Sequence, residues 1–156
     1  MTPLLLLAEL KKFIEGVVKD YSLETQKKGK RKEPQVLEGY LPPKEATDIP
    51  DFPYVIVRLM DGTDTDSEAK VTIKIVFGTY SEEFEGWKDP LNMLFRVREK
   101  LFTQRVLDKK YRVEYPLKWQ SFEDPPYPAW IAEMTTIWTV NRPVEIYAME
   151  DEYHED

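Results

Sequence analysis

Hydrophobic residues recur at helical spacing near the amino end of the chain. From Thr2 onward, apolar residues lie three and four positions apart as far as Tyr21. This spacing predicts a helix over about residues 3–21. Thr2 is predicted to be its N-cap and Pro3 its first helical residue, since both residue types favour these positions.

A second helical pattern follows Trp87. Asp89 is predicted to be the N-cap and Pro90 the first helical residue, and the helix is predicted to end near Leu107. The positions at helical spacing form a predicted buried stripe, which consists of Leu91, Leu94, Phe95, Leu101, Phe102 and Val106.

Alternating apolar and polar positions, rich in β-branched and aromatic residues, predict five strands. A polar turn at residues 61–68 joins the second and third of them into a long β-hairpin. Pro116 places the fourth strand, or its end, at an edge of the sheet. The five strands lie at about residues 36–41, 54–60, 69–78, 111–119 and 129–141. On the last strand, one side is predicted to carry Trp130, Ala132, Met134, Thr136, Trp138 and Val140.

The order of these elements is helix, three strands, helix, two strands, which predicts an α+β fold. We expect a single, mostly antiparallel sheet in which sequential strands pair antiparallel and both helices pack on one face. A chain of 156 residues has the length of one domain. Residues 1–143 are predicted to form it, with a flexible basic linker at residues 24–34, and residues 144–156 are predicted to form an acidic C-terminal tail.

Composition removes several classes of chemistry. The chain contains no Cys, which excludes disulfides, thiolate nucleophiles and cysteine-ligated metal centres. The one histidine, His154, lies in the acidic tail, so no Ser–His pair or histidine metal site is predicted in the core. The apolar run at residues 4–8 is too short to span a bilayer and lacks signal-peptide features, which favours a cytosolic protein. We therefore expect no catalytic residue, cofactor, metal or membrane contact.

The densest group of acidic side chains lies in the predicted hairpin turn. Its spacing imitates a calcium loop, but Ala69 stands at the sixth position counted from Asp64, where an EF-hand has glycine, and strands rather than helices flank it. We interpret the group as a solvated hairpin tip. A metal- or carboxylate-dependent enzyme that uses this loop is kept as an alternative. The residues are Asp61, Asp64, Asp66 and Glu68.

The basic linker contains five cationic side chains and no interleaved aromatic residue on which a base would stack. It is interpreted as a flexible linker or as a segment that becomes ordered on assembly. A module that binds nucleic acid through this run and the arginines of the second helix is a further alternative. The cationic residues are Lys27, Lys28, Lys30, Arg31 and Lys32.

Two aromatic residues are predicted to lie in loops rather than strands, Trp87 and Tyr127. Aromatic side chains exposed beside Pro-rich backbone are typical anchors of protein interfaces, but they also serve as local lids. Both interpretations stay open. The tryptophans on strands, Trp119 among them, are expected to belong mostly to the core.

Several strings in the folded part resemble a known family. They include Gly39-Tyr40-Leu41-Pro42-Pro43, Pro53-Tyr54-Val55-Ile56-Val57-Arg58, Phe77-Gly78-Thr79-Tyr80, Gly86-Trp87, Pro116-Leu117-Lys118-Trp119 and the stretch from Pro126 to Thr136. Over about residues 36–143 the chain resembles small proteins encoded among the head–tail joining genes of tailed phages and prophages of Gram-positive bacteria.

The resemblance implies a virion assembly protein of the tail-terminator or neck type, whose relatives are α+β domains that form hexameric rings on the end of the tail tube. It carries over no catalytic residue. The implied partners are further copies of the chain, a tail tube protein and a head-completion or connector protein, and the implied location is the virion, with the host cytoplasm during assembly.

Charge adds an expectation about assembly in such a ring. The net charge of −7 is compatible with a lumen through which DNA passes without specific binding. The basic run of one copy is expected to face the acidic hairpin tip or tail of its neighbour. Such attraction would weaken with salt, because the Debye length is only about 8 Å at physiological ionic strength.

Overall fold

The computed structural model describes residues 2–43, 51–143 and 145–146. Within these residues there are two α-helices, and a short 3-10 turn, Phe84–Trp87, precedes the second. No helix in this part of the chain is long and apolar enough to cross a membrane. The helices are α1 (Pro3–Val18) and α2 (Lys88–Thr103), and the strands are β1 (Leu23–Glu24), β2 (Arg31–Lys32), β3 (Gln35–Glu38), β4 (Tyr54–Asp64), β5 (Ala69–Tyr80), β6 (Val106–Leu107), β7 (Tyr111–Ser121) and β8 (Ala129–Val140).

Six strands form the main sheet in the order β3-β4-β5-β8-β7-β6, and β1 and β2 form a separate two-stranded ribbon. The predicted α+β class, mostly antiparallel sheet and order of the long elements are confirmed. The expectation that sequential strands pair antiparallel is wrong for β5 and β7, which do not pair because β8 lies between them. It is also wrong for β3 and β4, which are parallel. Residues 39–53 connect them, and a connection of a dozen or more residues is what a parallel crossover requires.

Both helices pack on one face of the sheet. The core combines Leu10 of α1 and Leu94 of α2 with alternating residues of the central strands, such as Ile75 and Met134, all four of them without solvent exposure. Burial of each such side chain contributes about 1.5–3 kcal/mol. The alternation predicted for β5 and β8 is therefore confirmed. The opposite face carries a smaller apolar cluster around Tyr54, Ile56 and Val76.

Helix α1 ends three residues earlier than predicted. Thr2 occupies the N-cap position with extended backbone, but its side chain makes no capping hydrogen bond. After Val18 the chain turns toward β1, and Tyr21 is a half-buried residue outside the helix that packs against the core.

Helix α2 differs from its prediction at both ends. It begins at Lys88, so Trp87 takes the N-cap position and Asp89 lies in the first turn. It ends at Thr103 rather than near Leu107 because the backbone leaves the helical region at Gln104 and continues into β6. The predicted stripe is partly wrong, since Phe95 and Val106 are exposed, while the buried residues are Pro90, Met93, Leu94, Val97 and Leu101.

The basic segment has secondary structure that the sequence analysis did not predict. Strands β1 and β2 pair antiparallel, with Glu24 opposite Arg31. The buried Thr25 organises the turn, because its hydroxyl oxygen accepts the Lys27 N–H at 3.2 Å and lies 3.2 Å from the Lys30 carbonyl. Gly29 supplies the left-handed position with φ of +79°. The segment was predicted to be a flexible linker because it has no apolar residues to bury. In the structure, local hydrogen bonds hold it in a hairpin instead.

The division into one domain and a tail stays a prediction. Of residues 144–156, only 145 and 146 are described, so the acidic tail and His154 lie outside the described residues.

Candidate assembly surfaces

The acidic residues of the β4–β5 hairpin are all exposed to solvent. The strands are longer than predicted, so Asp61 and Asp64 belong to β4, and the turn is reduced to residues 65–68. Thr65 closes this turn, its hydroxyl oxygen accepting the Glu68 N–H at 3.1 Å. Across the described ranges, no group of three or more His, Cys, Asp or Glu side chains is placed to hold a metal ion.

An open groove lies beside this hairpin, where the start of α1 leaves the end of the sheet uncovered. Its volume is about 460 Å³, and its lining includes Pro3, Leu59 and Met60 together with Asp61. Leu4, Leu5 and Met60 are 59%, 51% and 47% exposed. This end of the molecule therefore presents apolar side chains with acidic neighbours.

The basic hairpin, formed by β1 and β2, lies at the other end of the sheet. Lys28 and Arg31 line a groove of about 270 Å³ together with Tyr80, the last residue of β5. The acidic turn precedes Ala69, the first residue of β5. A strand of this length separates the two charged segments by roughly 35 Å. In one chain they do not meet, so the expected contact between them stays a prediction about neighbouring copies.

Asp89, in the first turn of α2, lies near the basic hairpin. Burial raises the pKa of its carboxyl group, the carboxylate of Glu24 raises it further, and the guanidinium of Arg31 lowers it. The hairpin thus places one anion and one cation near this carboxyl group.

The two predicted loop aromatics lie at this same end but in different surroundings. Tyr127 is 58% exposed, and its hydroxyl donates to the Glu82 carbonyl at 2.9 Å while its ring meets that of Trp130 edge-on at 5.7 Å. Trp87 is 45% exposed and lines a groove of about 340 Å³ with Phe122 and Trp130. Tyr127 is thus held by local contacts, and an interface role for either residue stays a prediction.

Four aromatic side chains form a surface row that the sequence analysis missed, which we call the aromatic seam. Phe95 of α2 meets Trp119 of β7 edge-on at 4.9 Å, and Phe102 stacks on Tyr115 at 4.7 Å. Tyr115 is 65% and Trp119 45% exposed, so the expectation that Trp119 belongs to the core is wrong. The sequence spacing of these four residues was a usable signal. Phe95 and Phe102 are seven residues apart on a helix, Tyr115 and Trp119 are four apart on a strand, and both separations correspond to about 10–13 Å.

The outer edge of β7 is covered over its first half and open over its second. Strand β6 pairs with Tyr111 and Arg112. The Val113 N–H then donates to the Arg105 carbonyl at 2.9 Å, and the Arg105 side chain donates to the Val113 carbonyl. Among the described residues, no strand pairs with this edge from Glu114 onward.

The opposite edge of the sheet has the same arrangement. Strand β3 pairs with β4 from Tyr54 to Val57, and the Gly39 N–H donates to the Val57 carbonyl at 2.8 Å. From Leu59 to Asp64, β4 pairs with β5 on one side only, as far as the structure describes the chain. The sheet thus has two half-open edges, one at each side.

Comparison with known proteins yields no matching family model and no matching curated protein. A search of solved structures finds a chain of a structure titled "Virion of native gene transfer agent (GTA) particle", with 14% sequence identity and a TM-score of 0.36. The match covers 67% of this chain and 77% of that chain.

Proposed function

We propose that this chain is a structural virion assembly protein of the tail-terminator or neck type, which forms a ring on the end of the tail tube and joins it to the head. The role comes from the sequence resemblance over about residues 36–143. The structural observation that supports self-assembly is the pair of sheet edges, on opposite sides of one molecule, that are half open within the described part of the chain.

A molecule with two different binding edges assembles head to tail. Each copy uses one edge to bind a neighbour and leaves the other edge free, so the contact repeats and closes into a ring when the rotation between copies allows. The proposed axial partners are the tail tube protein on one side of this ring and a head-completion protein on the other. A role as a structural component requires no reaction centre.

Electrostatics is proposed to guide the encounter between copies or with the axial partners. The basic hairpin and the acidic hairpin turn lie at opposite ends of the sheet. Complementary charge of this kind raises association rates and is screened by salt. Sedimentation velocity at low and high salt measures this contribution.

The decisive experiment mixes the purified protein with tail tubes assembled from the tube protein of the same genome. Negative-stain images are expected to show a ring of additional density at tube ends and not along tube walls. Albumin at equal concentration is the control. A chain that binds neither tube ends nor further copies of itself would contradict the proposal. Retention of DNA on filters by the protein at low salt would favour the nucleic-acid alternative instead.

A further inference from the structure

We propose that neighbouring copies join edge to edge, the open half of β7 in one copy pairing antiparallel with the open half of β4 in the next. The inference rests on the proposed ring, since it assigns the contact that holds its subunits together. The register places Lys118 opposite Thr63, Trp119 opposite Gly62, and Gln120 opposite Asp61.

The backbone supplies the first reason. An open strand edge presents a row of N–H and C=O groups that another strand satisfies by pairing. Within one copy β7 and β4 run in opposite directions, because each of the three pairings between them, β4–β5, β5–β8 and β8–β7, is antiparallel. A ring axis that runs along the strands preserves this relation, so β7 of one copy would then meet β4 of the next as an antiparallel pair.

The irregularities of the two strands limit which residues can pair. Strand β7 is bulged between Glu114 and Lys118, and Pro116 in that stretch has no N–H to donate. Strand β4 is bulged between Leu59 and Asp61. Regular pairing is therefore available from Lys118 onward on β7 and from Asp61 onward on β4, and each regular segment is four residues long.

Side-chain direction restricts the register further. Lys118 pairs with Thr135 in the sheet, and Asp61 pairs with Thr72, on the face away from the helices. The residues alternating with these partners, such as Met134, are buried in the core. In a sheet continued across the joint, Lys118 and Asp61 would share one face as diagonal neighbours, a distance that a lysine side chain spans.

Charge distinguishes this joint from the pairing of two identical edges. Cationic side chains of β7, α2 and the segment after α2 flank the β7 edge, where Glu114 pairs with two of them, Arg105 and Arg112, whereas the β4 edge and its turn are acidic. Pairing β7 with β7, or β4 with β4, would place like charges together, which costs binding energy. The cationic side chains are Arg98, Arg105, Arg112 and Lys118, and the acidic ones are Asp61, Asp64, Asp66 and Glu68.

The helix-side face supplies an apolar contact for the same register. Trp119 projects from β7 against Phe95 and is 45% exposed. Opposite it in the next copy would lie Gly62, whose lack of a side chain leaves the strand surface accessible to an indole ring. Helix α1 packs on β3 and β4, with Leu4 and Leu5 exposed at its start. Tryptophan is among the residues that most often dominate interface energies.

Disulfide trapping tests the register directly, because the natural chain has no Cys. In the double variant Lys118→Cys, Thr63→Cys the two sites lie on β7 and β4 of one copy, three strand spacings or about 14 Å apart at the least. A disulfide needs Cα atoms within about 7 Å, so only a bond between copies can form. Mild oxidation is expected to give a ladder of covalent multimers that ends at the closed ring.

The matched control is Lys28→Cys, Thr63→Cys, which moves one cysteine to an exposed lysine of the basic hairpin. It is expected to yield no ladder beyond random dimers. A ladder from the control pair but not from the Lys118 pair would overturn the proposal, because the basic hairpin and not β7 would then face β4 of the neighbour.

A charge exchange provides an independent measurement on cysteine-free protein. Lys118→Asp and Asp61→Lys are each expected to weaken self-association about fivefold, and the double variant is expected to restore it. Trp119→Ala is expected to weaken it about tenfold or more. Circular dichroism confirms that each variant is folded. Equal weakening in the single and double variants would contradict the pairing.

The outcome separates this contact from the proposed function. Rings at tube ends without the Lys118–Thr63 crosslink would overturn the edge contact and leave the virion role standing. Crosslinked rings that ignore tail tubes would support the edge contact and contradict the terminator role. Protein that stays monomeric in solution and on tubes overturns both.

Discussion

Two threonines on neighbouring strands, Thr136 and Thr79, are equally inaccessible to solvent and differ in hydrogen bonding. The Thr136 hydroxyl accepts the Trp138 indole N–H at 2.8 Å and donates to the Ile73 carbonyl at 2.8 Å. The Thr79 hydroxyl has no hydrogen-bond partner among the described residues. A buried polar group without a partner lowers stability, so one hydroxyl supports the core and the other does not.

This difference predicts opposite results for the same substitution. Thr136→Val should lower the free energy of unfolding by about 1–3 kcal/mol, because the Trp138 N–H would lose its partner. Thr79→Val should leave the free energy of unfolding unchanged or raise it, because it replaces an unpaired hydroxyl with a methyl group of similar size. Urea denaturation followed by far-UV circular dichroism measures both. Equal losses in the two variants would show that the hydrogen bonds of Thr136 contribute nothing beyond packing.

Gly78 is required by the ring of Tyr54, which lies over it in the sheet. A Cβ at this position would lie 2.2 Å from Tyr54 Cζ, whereas a Cβ at Gly16 on α1 would meet nothing within 4 Å. Gly78→Ala should cost about 1–3 kcal/mol through overpacking. Gly16→Ala should gain about 0.5–1 kcal/mol by lowering the entropy of the unfolded chain. Thermal denaturation compares them.

A second readout separates displacement of the ring from general damage to the fold. Burial raises the pKa of the Tyr54 phenol, and the nearby Asp51 carboxylate raises it further. If Gly78→Ala pushes the ring outward, this pKa should fall toward the ordinary tyrosine value, as ultraviolet titration would detect. An unchanged pKa together with lost stability would place the strain elsewhere.

The basic hairpin is an element held by local hydrogen bonds rather than by the core. Its turn depends on the Thr25 hydroxyl, and the Thr25 N–H donates to the Lys30 carbonyl at 3.0 Å. Thr25→Val should speed exchange of the Thr25 and Lys30 amide hydrogens about fivefold, the equivalent of one hydrogen bond. Nuclear magnetic resonance measures the rates, and the Ile75 amide in β5 is the internal control. A parallel change at Ile75 would mean that the hairpin unfolds only with the whole domain.

Helices and strands were predictable from the sequence where burial alone determines which of their positions are apolar. Strands β5 and β8 lie at the centre of the sheet, with one face covered by helices, so alternation in the sequence follows burial directly. Helix α1 shows the same correspondence at helical spacing. The β1–β2 hairpin was not predictable in this way, because a threonine hydroxyl and a left-handed glycine hold it together with little apolar surface.

The aromatic seam was misassigned for a related reason. Alternation on β7 places Trp119 on the helix side of the sheet, but it does not tell how far α2 extends over that edge. In the structure α2 buries Met93 and Val97 and leaves Phe95 beside Trp119 at the surface. Helical spacing correctly predicted that α2 has an apolar stripe, but it centred the stripe on the wrong side of the helix. The reason is that Phe95 and Phe102 are as hydrophobic as the residues that are buried.

At the scale of the whole molecule, the proposed register determines how copies would lie in a ring. Within one copy Thr63 is in line with Lys70 and Thr139, whereas across the joint it would align with Lys118 and hence with Thr135. From one copy to the next the sheet advances by four strands, which is about 19 Å across the strands. Over the same step the pairing shifts by four residues, which is about 13 Å along the strands. A closed ring accommodates this shift when its strands tilt by roughly 35°, which is within the range of closed sheets. Without that tilt the copies would form a helical filament.

Tryptophan accessibility distinguishes the two ways in which this molecule could meet a neighbour. Trp87 and Trp119 are each 45% exposed, and they have different neighbours, since Trp119 contacts Phe95 whereas Trp87 lines the groove with Phe122 and Trp130. If copies join through β7 and β4, assembly should protect Trp119 and leave Trp87 accessible. Acrylamide quenching of tryptophan fluorescence is therefore expected to fall on assembly in the Trp87→Phe variant and to stay constant in the Trp119→Phe variant. Both are measured at concentrations where sedimentation shows that the variant is assembled. The reverse pattern would place the contact at the end that carries Trp87 and Tyr127, as the loop aromatics alone would predict, and would exclude the edge joint.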